Sequence, residues 1–434
     1  GVNGDGGRDV AIQVDAGGEE RRDASIDEDA RTVVLAVPSL VHSPTSTSAV
    51  VTAVALRGRD RLRLEVRPEP SRGGWTPVPG ELLGDDIVSW EIRGLQPGTA
   101  YAYRIRNAYP PHAAGRFVTR RDAGDSFTFA LLADTHVFVD EPDRVAEVLE
   151  PVAVAIARDR PDFIIHLGDL LDYHAFGFNQ PPPDSYWARA GYLAYREMMG
   201  AALGTAGHFT VIGNWDGENG DFGADEVERS RSQRLLYLPN PGPDTYFEGG
   251  GMDGNYYAFT WGDALLVVLD VMGYTTEPHL LSIAPGAVES WTLGEAQLGW
   301  LEQTLRNANA RWRFLCIHHT VGGRAGDAVN SAYGRGGGRA AQVGEQATVH
   351  QLMLETNVQV LFYGHDHVFT DTVVDGIHYT LPGSAGASWF FSESETGYQS
   401  FWPESGYGRV RVDPDRVTVE LISLEGTVLH RYEL

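Results

Sequence analysis

The chain has 434 residues, 42% of them hydrophobic, which allows one very large domain or two to three ordinary ones around a sizeable core. A formal net charge of −25 repels nucleic acid and anionic membranes, so we expect neither as a partner. No apolar run approaches the roughly 18 residues of a membrane span. The single cysteine, Cys316, excludes an intramolecular disulfide.

The first part of the chain divides into a polar segment and a β-rich segment. Residues 1–30 are rich in Gly, Asp, Glu and Arg and predict an acidic, loosely ordered lead-in. Residues 31–120 contain short apolar runs separated by Gly, Pro and charged turns, which predict a small all-β sandwich domain. The predicted strands are Thr32–Val37, Ala49–Leu56, Leu62–Val66, Ile87–Ile92 and Tyr101–Ile105.

A Pro-Gly turn followed by alternating tyrosines lies within Leu95–Tyr103. This pattern is similar to the tyrosine corner of β-sandwich domains. Together with Arg116–Thr119, the segment resembles a fibronectin type III-like domain. Residues 120–125 then predict a linker to the second part of the chain, residues 126–434.

From Ser126 onwards, strand-like runs alternate with helical patterns, which predicts βαβ units and a largely parallel sheet. Apolar residues keep helical spacing over Val145–Ile156, Leu298–Leu305 and Val349–Met353, each ahead of a strand-like run. The end of the chain predicts a hairpin at residues 407–422 and a closing strand at residues 428–434.

Five short apolar runs end directly in residues that commonly bind metals. Such runs predict strands buried on both faces, and ligands bind at the carboxyl ends of strands in an open α/β sheet. The pairs are Phe127–Ala133 with Asp134 and His136, Phe163–Leu167 with Asp169, His208–Ile212 with Asn214, Phe314–Ile317 with His318, and Val358–Tyr363 with His365 and His367.

These seven ligands offer nitrogen and oxygen but no thiolate. Such a set suits two divalent ions, with Zn, Mn, Fe, Mg or Ca as candidates, rather than a structural zinc finger. A carboxylate shared by both ions is the usual way to hold them about 3.5–4 Å apart. Asp169, in the middle of the set, is the predicted bridge.

The motifs Asp-x-His, Gly-Asp-x-x-Asp, Gly-Asn-x-Asp, a strand-end His and Gly-His-x-His, in that order, resemble the calcineurin-like metallophosphoesterases. With the N-terminal β domain, the chain looks like the purple acid phosphatase branch or its bacterial phosphodiesterase relatives. The resemblance implies a four-layer α-β-β-α sandwich. It also implies one metal held by Asp134, His136, Asp169 and His367, and another held by Asp169, Asn214, His318 and His365.

The implied activity is hydrolysis of a small-molecule phosphomonoester or phosphodiester by a hydroxide that bridges two metals. A Gly-rich loop after His318 carries Arg324, Arg335 and Arg339, whose planar guanidinium groups suit phosphate oxygens. His319 is expected to orient the site or contact the substrate.

Two positions depart from the family pattern. Asp172 stands where purple acid phosphatases carry a metal-bound Tyr, so an iron–phenolate chromophore is not expected. Trp215 stands where the family has the His that contacts phosphate and protonates the leaving group, and an indole cannot transfer a proton at neutral pH. His174 and Asp216 are the candidate replacements for that proton donor.

Two other functions stay open from the sequence. The first is a catalytically weak metal-binding protein with a binding role, which the replaced His favours. The second is a metal hydrolase that acts on a phosphotriester or another ester. Relatives with this kind of β domain are commonly exported, so we expect an extracellular or periplasmic protein.

Overall fold

The computed structural model describes residues 32–71, 73–109, 113–172, 186–220, 223–273, 292–321, 333–334, 344–393, 398 and 400–434. The predicted lead-in, residues 1–30, lies outside these ranges. Residues from Val33 to Leu434 pack together as one unit. None of the helices within the described ranges combines the length and apolar character needed to cross a membrane.

The β-rich N-terminal part forms strands of two sheets. Its elements are β1 (Val37–His42), β2 (Ser48–Val54), a 3-10 turn (Arg59–Arg61), β3 (Arg63–Pro68), β4 (Thr76–Val78), β5 (Glu81–Leu83), β6 (Ile87–Arg93), β7 (Ala100–Arg106) and β8 (Ala114–Val118). One sheet has the order β4-β3-β7-β8, and β1-β2-β6-β5 forms the end of a larger sheet. A separate apolar core that includes Trp90, Leu64 and Phe117 lies in this region. The N–H of Gln96 donates to the Tyr101 hydroxyl at 2.9 Å, which is the contact of a tyrosine corner.

The rest of the chain alternates strands and helices as predicted. Its first half contains β9 (Phe127–Leu132), α1 (Pro142–Asp159), β10 (Phe163–His166), α2 (Tyr186–Met198), α3 (Gly200–Leu203), β11 (Gly207–Thr210), α4 (Ala224–Tyr237), β12 (Tyr257–Trp261) and β13 (Ala264–Val268). Its second half contains α5 (Gly294–Asn307), β14 (Trp312–Cys316), β15 (Thr320–Val321), β16 (Tyr333–Gly334), α6 (Gly344–Glu355), β17 (Val360–Phe362), β18 (Phe369–Val374), β19 (Ile377–Pro382), β20 (Phe401–Trp402), β21 (Gly406–Asp413), β22 (Arg416–Ser423) and β23 (Val428–Glu433).

Two sheets pack face to face and carry helices on their outer faces. The larger sheet has the order β23-β22-β21-β9-β10-β11-β1-β2-β6-β5, and the smaller has the order β12-β13-β14-β17-β19-β18-β20. An aromatic core that includes Phe129, Phe163 and Phe314 fills the space between them. Separate cores join α1, α2 and α3 to the larger sheet and α5 and α6 to the smaller sheet. The predicted four-layer α-β-β-α sandwich is therefore confirmed.

The predicted helices bury the residues that kept helical spacing. In α1, Val145, Leu149 and Ile156 are fully buried against the larger sheet. Leu301 and Leu305 of α5 are buried in the same way against the smaller sheet. Because burial follows the 3.6-residue period, the apolar spacing alone was enough to define these helix faces.

One parallel strand pair joins the N-terminal β region to the rest of the molecule. In this pair, β1 lies beside β11 with His42 opposite His208. Both imidazoles are buried, and burial together with the nearby Arg196 guanidinium lowers the pKa of His42 to about 3. Burial, the repulsion that two charged imidazoles would experience here, and the Arg196 guanidinium lower the pKa of His208 to about 3 as well. Tyr195 also bonds to His208, at 2.9 Å. The joint is therefore built for two neutral imidazoles.

Because the pKa values of His42 and His208 are low in the folded protein, we expect acid to destabilise the fold. Between pH 6.5 and about 3, His42 and His208 bind protons in the unfolded chain but not in the folded protein. The free energy of unfolding therefore falls as the pH falls. Each site contributes up to about 1.4 kcal/mol per pH unit in that window. We expect the variant His208→Gln to lose stability less steeply between pH 7 and pH 5, as measured by urea unfolding. An unchanged slope would contradict this account of the joint.

Candidate metal centre

Five of the seven predicted ligands have left-handed backbone conformations. Non-glycine residues rarely adopt a positive φ, which costs of the order of 1–3 kcal/mol at each position. The φ angles are 54° at Asp134, 44° at His136, 52° at Asp169, 79° at His365 and 57° at His367. Such strain persists only where the surrounding structure holds it, and it is concentrated here at the strand ends that carry the ligands.

Glycines allow the ligand loops to approach one another. A Cβ placed on Gly213 would lie 2.1 Å from the backbone nitrogen of Asp169. A Cβ placed on Gly168, whose φ is 93°, would lie 2.6 Å from Nδ1 of His318. Any larger residue at these two positions would separate the loops that follow β10, β11 and β14. The Gly-Asp and Gly-Asn pairs of the sequence are therefore explained by close packing at the centre.

The first group of ligands consists of Asp134, His136, Asp169 and His367, which offer ligand atoms within 4.8 Å of one another. All four are buried. The Nε2 atoms of His136 and His367 lie 3.0 Å apart, and Nε2 of His367 lies 3.6 Å from a carboxylate oxygen of Asp134. Two imidazole nitrogens aimed at one point, with carboxylate oxygens beside them, form a set suited to a divalent ion. These four residues are those that the family resemblance implied for one metal.

The second group contains His318, His319 and His365, again within 4.8 Å of one another. Nε2 of His318 also lies 3.2 Å from Oδ1 of Asn214, which adds the amide oxygen expected for the second metal. His319 was predicted to orient the site or contact substrate, and its ring lies 3.8 Å from that of His365. The structure thus places His319 inside the group of possible ligands.

Asp169 lies between the two groups. Its Oδ2 atom is 3.7 Å from Nε2 of His136 and 3.1 Å from Nε2 of His318. Its other oxygen accepts a hydrogen bond of 2.7 Å from the backbone N–H of Trp215, so the carboxylate is held in one orientation. One oxygen is thus anchored, and the other faces a ligand from each group, which is the arrangement expected of a bridging carboxylate.

Backbone carbonyls define the tautomers of two ligands. Nδ1 of His318 lies 2.8 Å from the carbonyl oxygen of Leu167, and Nδ1 of His367 lies 3.0 Å from the carbonyl oxygen of Trp389. A carbonyl oxygen accepts only, so both Nδ1 atoms carry a proton, and the neutral form of each imidazole would present the lone pair of Nε2 to a metal at the centre. This is the usual way in which proteins orient metal-binding imidazoles.

The charges of the site fit a bound cation. Oδ2 of Asp134, Oδ2 of Asp169 and Nδ1 of His136 are buried without a hydrogen-bond partner, which is costly unless another group satisfies them. Burial raises the pKa of Asp134 well above its usual value and lowers the pKa of His136 to about 4. Burial would lower the pKa of His318 as well, but Asp169 and Asp134 raise it to about 9. The buried carboxylates thus favour positive charge beside them, as the raised pKa of His318 shows. Bound divalent ions would supply such charge.

Asp216 connects two of the ligand loops. Its carboxylate accepts backbone N–H bonds from Asp169 at 3.1 Å, from Leu171 at 3.0 Å and from Gly213 at 2.7 Å. Burial and the charge of Asp169 raise the pKa of Asp216 to about 7. These bonds hold the loop after β10 against the loop after β11. Both of its oxygens accept backbone bonds, and its predicted role as a proton donor stays a prediction.

Other residues that support the centre were missed in the sequence. The hydroxyl of Ser384 donates to the carbonyl oxygen of Asp134 at 2.8 Å, and the backbone N–H of Ala387 bonds to the same oxygen at 3.1 Å. The Tyr398 hydroxyl donates to Asp366 at 2.7 Å and accepts from Tyr363 at 2.7 Å, below the loop that carries His365 and His367. Their positions in the sequence follow no periodic pattern that would have indicated this role.

Two tryptophans lie against the ligand rings of the first group. The ring of Trp215 lies 5.2 Å from that of His136, and the ring of Trp389 lies 4.9 Å from His136 and 4.7 Å from His367. Trp215 was singled out because it replaces the expected His, whereas Trp389 was not predicted. Both indoles are half-buried.

The structure leaves some predicted residues without a description. His174, Arg324, Arg335 and Arg339 lie outside the described residues, so their roles stay predictions. Asp172 follows the loop that carries Asp169, and burial raises the pKa of its carboxyl group to about 7. A carboxyl group, and not a phenol, is therefore what this position contributes near the centre.

A profile of the calcineurin-like phosphoesterases matches residues 127–369, which include all seven predicted ligands and more than half of the chain. The chain belongs to the calcineurin-like phosphoesterase family. Members of this family are metal-dependent phosphoesterases that typically bind two divalent ions. The Asp and His cluster described above is where this calcineurin-like phosphoesterase could hold metal.

Solved structures support the same fold. The structure of PhoD is similar with a TM-score of 0.67 and 16% identity, over 94% of this chain and 90% of that chain. The purple acid phosphatase PPD1 from yellow lupin (Lupinus luteus) seeds is similar with a TM-score of 0.64 and 14% identity, over 92% of this chain and 74% of that chain. These two likenesses support the fold described above. A search of curated protein sequences found no match.

We expect added Mn²⁺ or Zn²⁺ to raise the thermal unfolding midpoint of metal-free protein, because the ions bind the assembled centre and not the unfolded chain. A metal concentration 100 times the Kd adds about 2.7 kcal/mol to the free energy of unfolding. The variant Asp169→Asn should lose most of this gain, since it removes the charge between the two groups. Asp162→Asn, at the opposite end of β10, is the matched control and should keep it. An equal gain in both variants would contradict the assignment.

Proposed function

We propose that this protein hydrolyses small-molecule phosphomonoesters or phosphodiesters at a centre that holds two divalent ions. The observation that carries the proposal is the position of Asp169 Oδ2, within 3.7 Å of a ligand imidazole of each group. When bound, two divalent ions stabilise negative charge on the phosphate and lower the pKa of the attacking water.

The protein's own contribution is a rigid arrangement of ligands. Trp215 anchors one oxygen of Asp169, while Leu167 and Trp389 fix the tautomers of two imidazoles. Asp216 holds two ligand loops together by accepting two backbone bonds from the loop after β10, and it accepts a third from Gly213 in its own loop. Because these groups are already oriented before substrate arrives, little reorganisation is needed during the reaction.

The position of Trp215 bears on how the leaving group receives a proton. An indole N–H can donate one hydrogen bond to a phosphate oxygen, but it does not transfer its proton at neutral pH. Esters whose leaving group is stable as an anion need no such donor, so we expect them to be the better substrates. His174 and Asp216 stay the candidate donors for other esters. Export to the periplasm or the extracellular space stays a prediction.

Hydrolysis of p-nitrophenyl phosphate and bis-p-nitrophenyl phosphate by metal-free and Mn²⁺- or Zn²⁺-loaded protein tests the proposal. We expect release of p-nitrophenol that depends on the added metal and is lost in Asp169→Asn. The ratio of the two rates distinguishes a monoesterase from a diesterase. If metal-loaded protein, with its metal content verified, releases no product from either ester, a catalytically weak metal-binding protein is the better reading.

The variant Trp215→His restores an imidazole beside Asn214. We expect it to raise the turnover of alkyl phosphates more than that of aryl phosphates, because alkoxide leaving groups require a proton. General acid catalysis is typically worth about 10²–10⁴-fold, which bounds the expected gain. The measurement is kcat for one alkyl and one aryl phosphate in both proteins. Equal changes for the two substrates would contradict the account of Trp215.

A further inference from the structure

We propose that Trp215 and Trp389 form a binding surface for a flat, apolar group of the phosphoester, beside the first group of metal ligands. This proposal rests on the proposed function, because it concerns the part of the substrate that is attached to the phosphate. The surface is named here the indole wall, and it consists of these two side chains.

The indole wall lies directly against the ligands. Its two rings are 5.9 Å apart with an angle of 51° between their planes. Trp215 meets His136 edge to face, and Trp389 contacts both His136 and His367. Phe391, 5.2 Å from His367, continues the aromatic surface. An apolar group that stacks on the indole wall would therefore lie next to a phosphate held at the first group of ligands.

The indole wall retains exposed surface where the ligands behind it do not. His136 is 0% exposed and His367 is 2% exposed, whereas both tryptophans are only half-buried. Phe390, next in the chain after Trp389, is 39% exposed. The exposed part of each ring would lose contact with water when an apolar group covers it, which favours binding of such a group.

The backbone of each tryptophan is tied to a ligand of the centre. The N–H of Trp215 donates to Oδ1 of Asp169, and the carbonyl oxygen of Trp389 accepts from Nδ1 of His367. The segment before Trp389 is also held, through the bonds of Ser384 and Ala387 to the carbonyl oxygen of Asp134. The positions of the rings are therefore coupled to the geometry of the ligands, and a preorganised surface loses little entropy on binding.

The indole wall gives the first group of ligands an aromatic neighbour. The second group contributes the imidazoles of His318, His319 and His365 and the amide of Asn214. A phosphate held between the two groups would therefore have the indole wall beside the first group. This position favours an ester with one flat, apolar substituent, such as an aryl group.

Phosphonates test the indole wall without turnover, since their carbon–phosphorus bond is not a phosphoester. The measurement is the Kd of phenylphosphonate and of methylphosphonate for the Mn²⁺-loaded full chain, by isothermal titration calorimetry. We expect the wild-type protein to bind phenylphosphonate roughly 10-fold more tightly. Trp215→Ala and Trp389→Ala should each reduce this ratio towards one through weaker phenylphosphonate binding. Trp75→Ala, a half-buried tryptophan of the N-terminal β region, is the matched control and should keep the ratio.

Methylphosphonate serves as the internal reference for an intact centre. If an alanine variant also loses methylphosphonate binding, Phe and Leu are compared at the same position, Trp215 or Trp389. The flat Phe should retain more of the phenylphosphonate-to-methylphosphonate ratio than Leu. Equal Kd values for the two phosphonates in the wild-type protein would overturn the indole wall and leave the phosphoesterase proposal intact. If neither phosphonate binds to the metal-loaded protein, both proposals fail.

Discussion

Buried negative charge at the ends of parallel strands is the constraint on which the rest of this structure depends. Asp134 and Asp169 are fully buried, and each has an oxygen without a hydrogen-bond partner. An uncompensated buried carboxylate is so costly that the protein must either neutralise it or place positive charge beside it. The imidazoles of His136, His318 and His367 surround these oxygens, so the site is suited to bind cations. The net charge of the whole chain, −25, favours cations as well.

Holding that charge in place requires strain and a framework that resists it. The left-handed backbone at five ligands stores conformational energy. The framework consists of hydrogen bonds that cross between loops. The backbone N–H groups of Asp169 and Leu171 donate to the Asp216 carboxylate, and the Ser384 hydroxyl donates to the carbonyl oxygen of Asp134. The aromatic core between the two sheets, which includes Phe129 and Phe163, supports the strands from below. The ligand geometry is thus a property of the whole sandwich and not of the loops alone.

The sequence was sufficient for the features that depend on local order. Each candidate ligand follows a short buried strand, so residue type and position together predicted a cluster of possible metal ligands. The spacing of Val145, Leu149 and Ile156 predicted the buried face of α1. It was insufficient where contacts are distant. The first strand was predicted at Thr32–Val37 but begins at Val37, with Pro38 in an irregular register beside β2, because pairing with β11 outweighs local propensity. Trp389 reaches the ligands from a loop about 175 residues after Trp215, and no pattern connects the two.

The parallel pairing of β1 with β11 also bears on how this chain can be divided. Four N-terminal strands continue the sheet that carries Asp134, Asp169 and Asn214, so the β region is joined to the rest of the chain by strand pairing and not only by a linker. Cutting the chain ahead of β9 would remove β1, one of the two strands that pair with β11, and expose the N–H and C=O groups along that edge of a strand that leads to Asn214. Naked strand edges of this kind recruit other chains and aggregate. A chain shortened in this way would keep all seven candidate ligands but would be prone to aggregate.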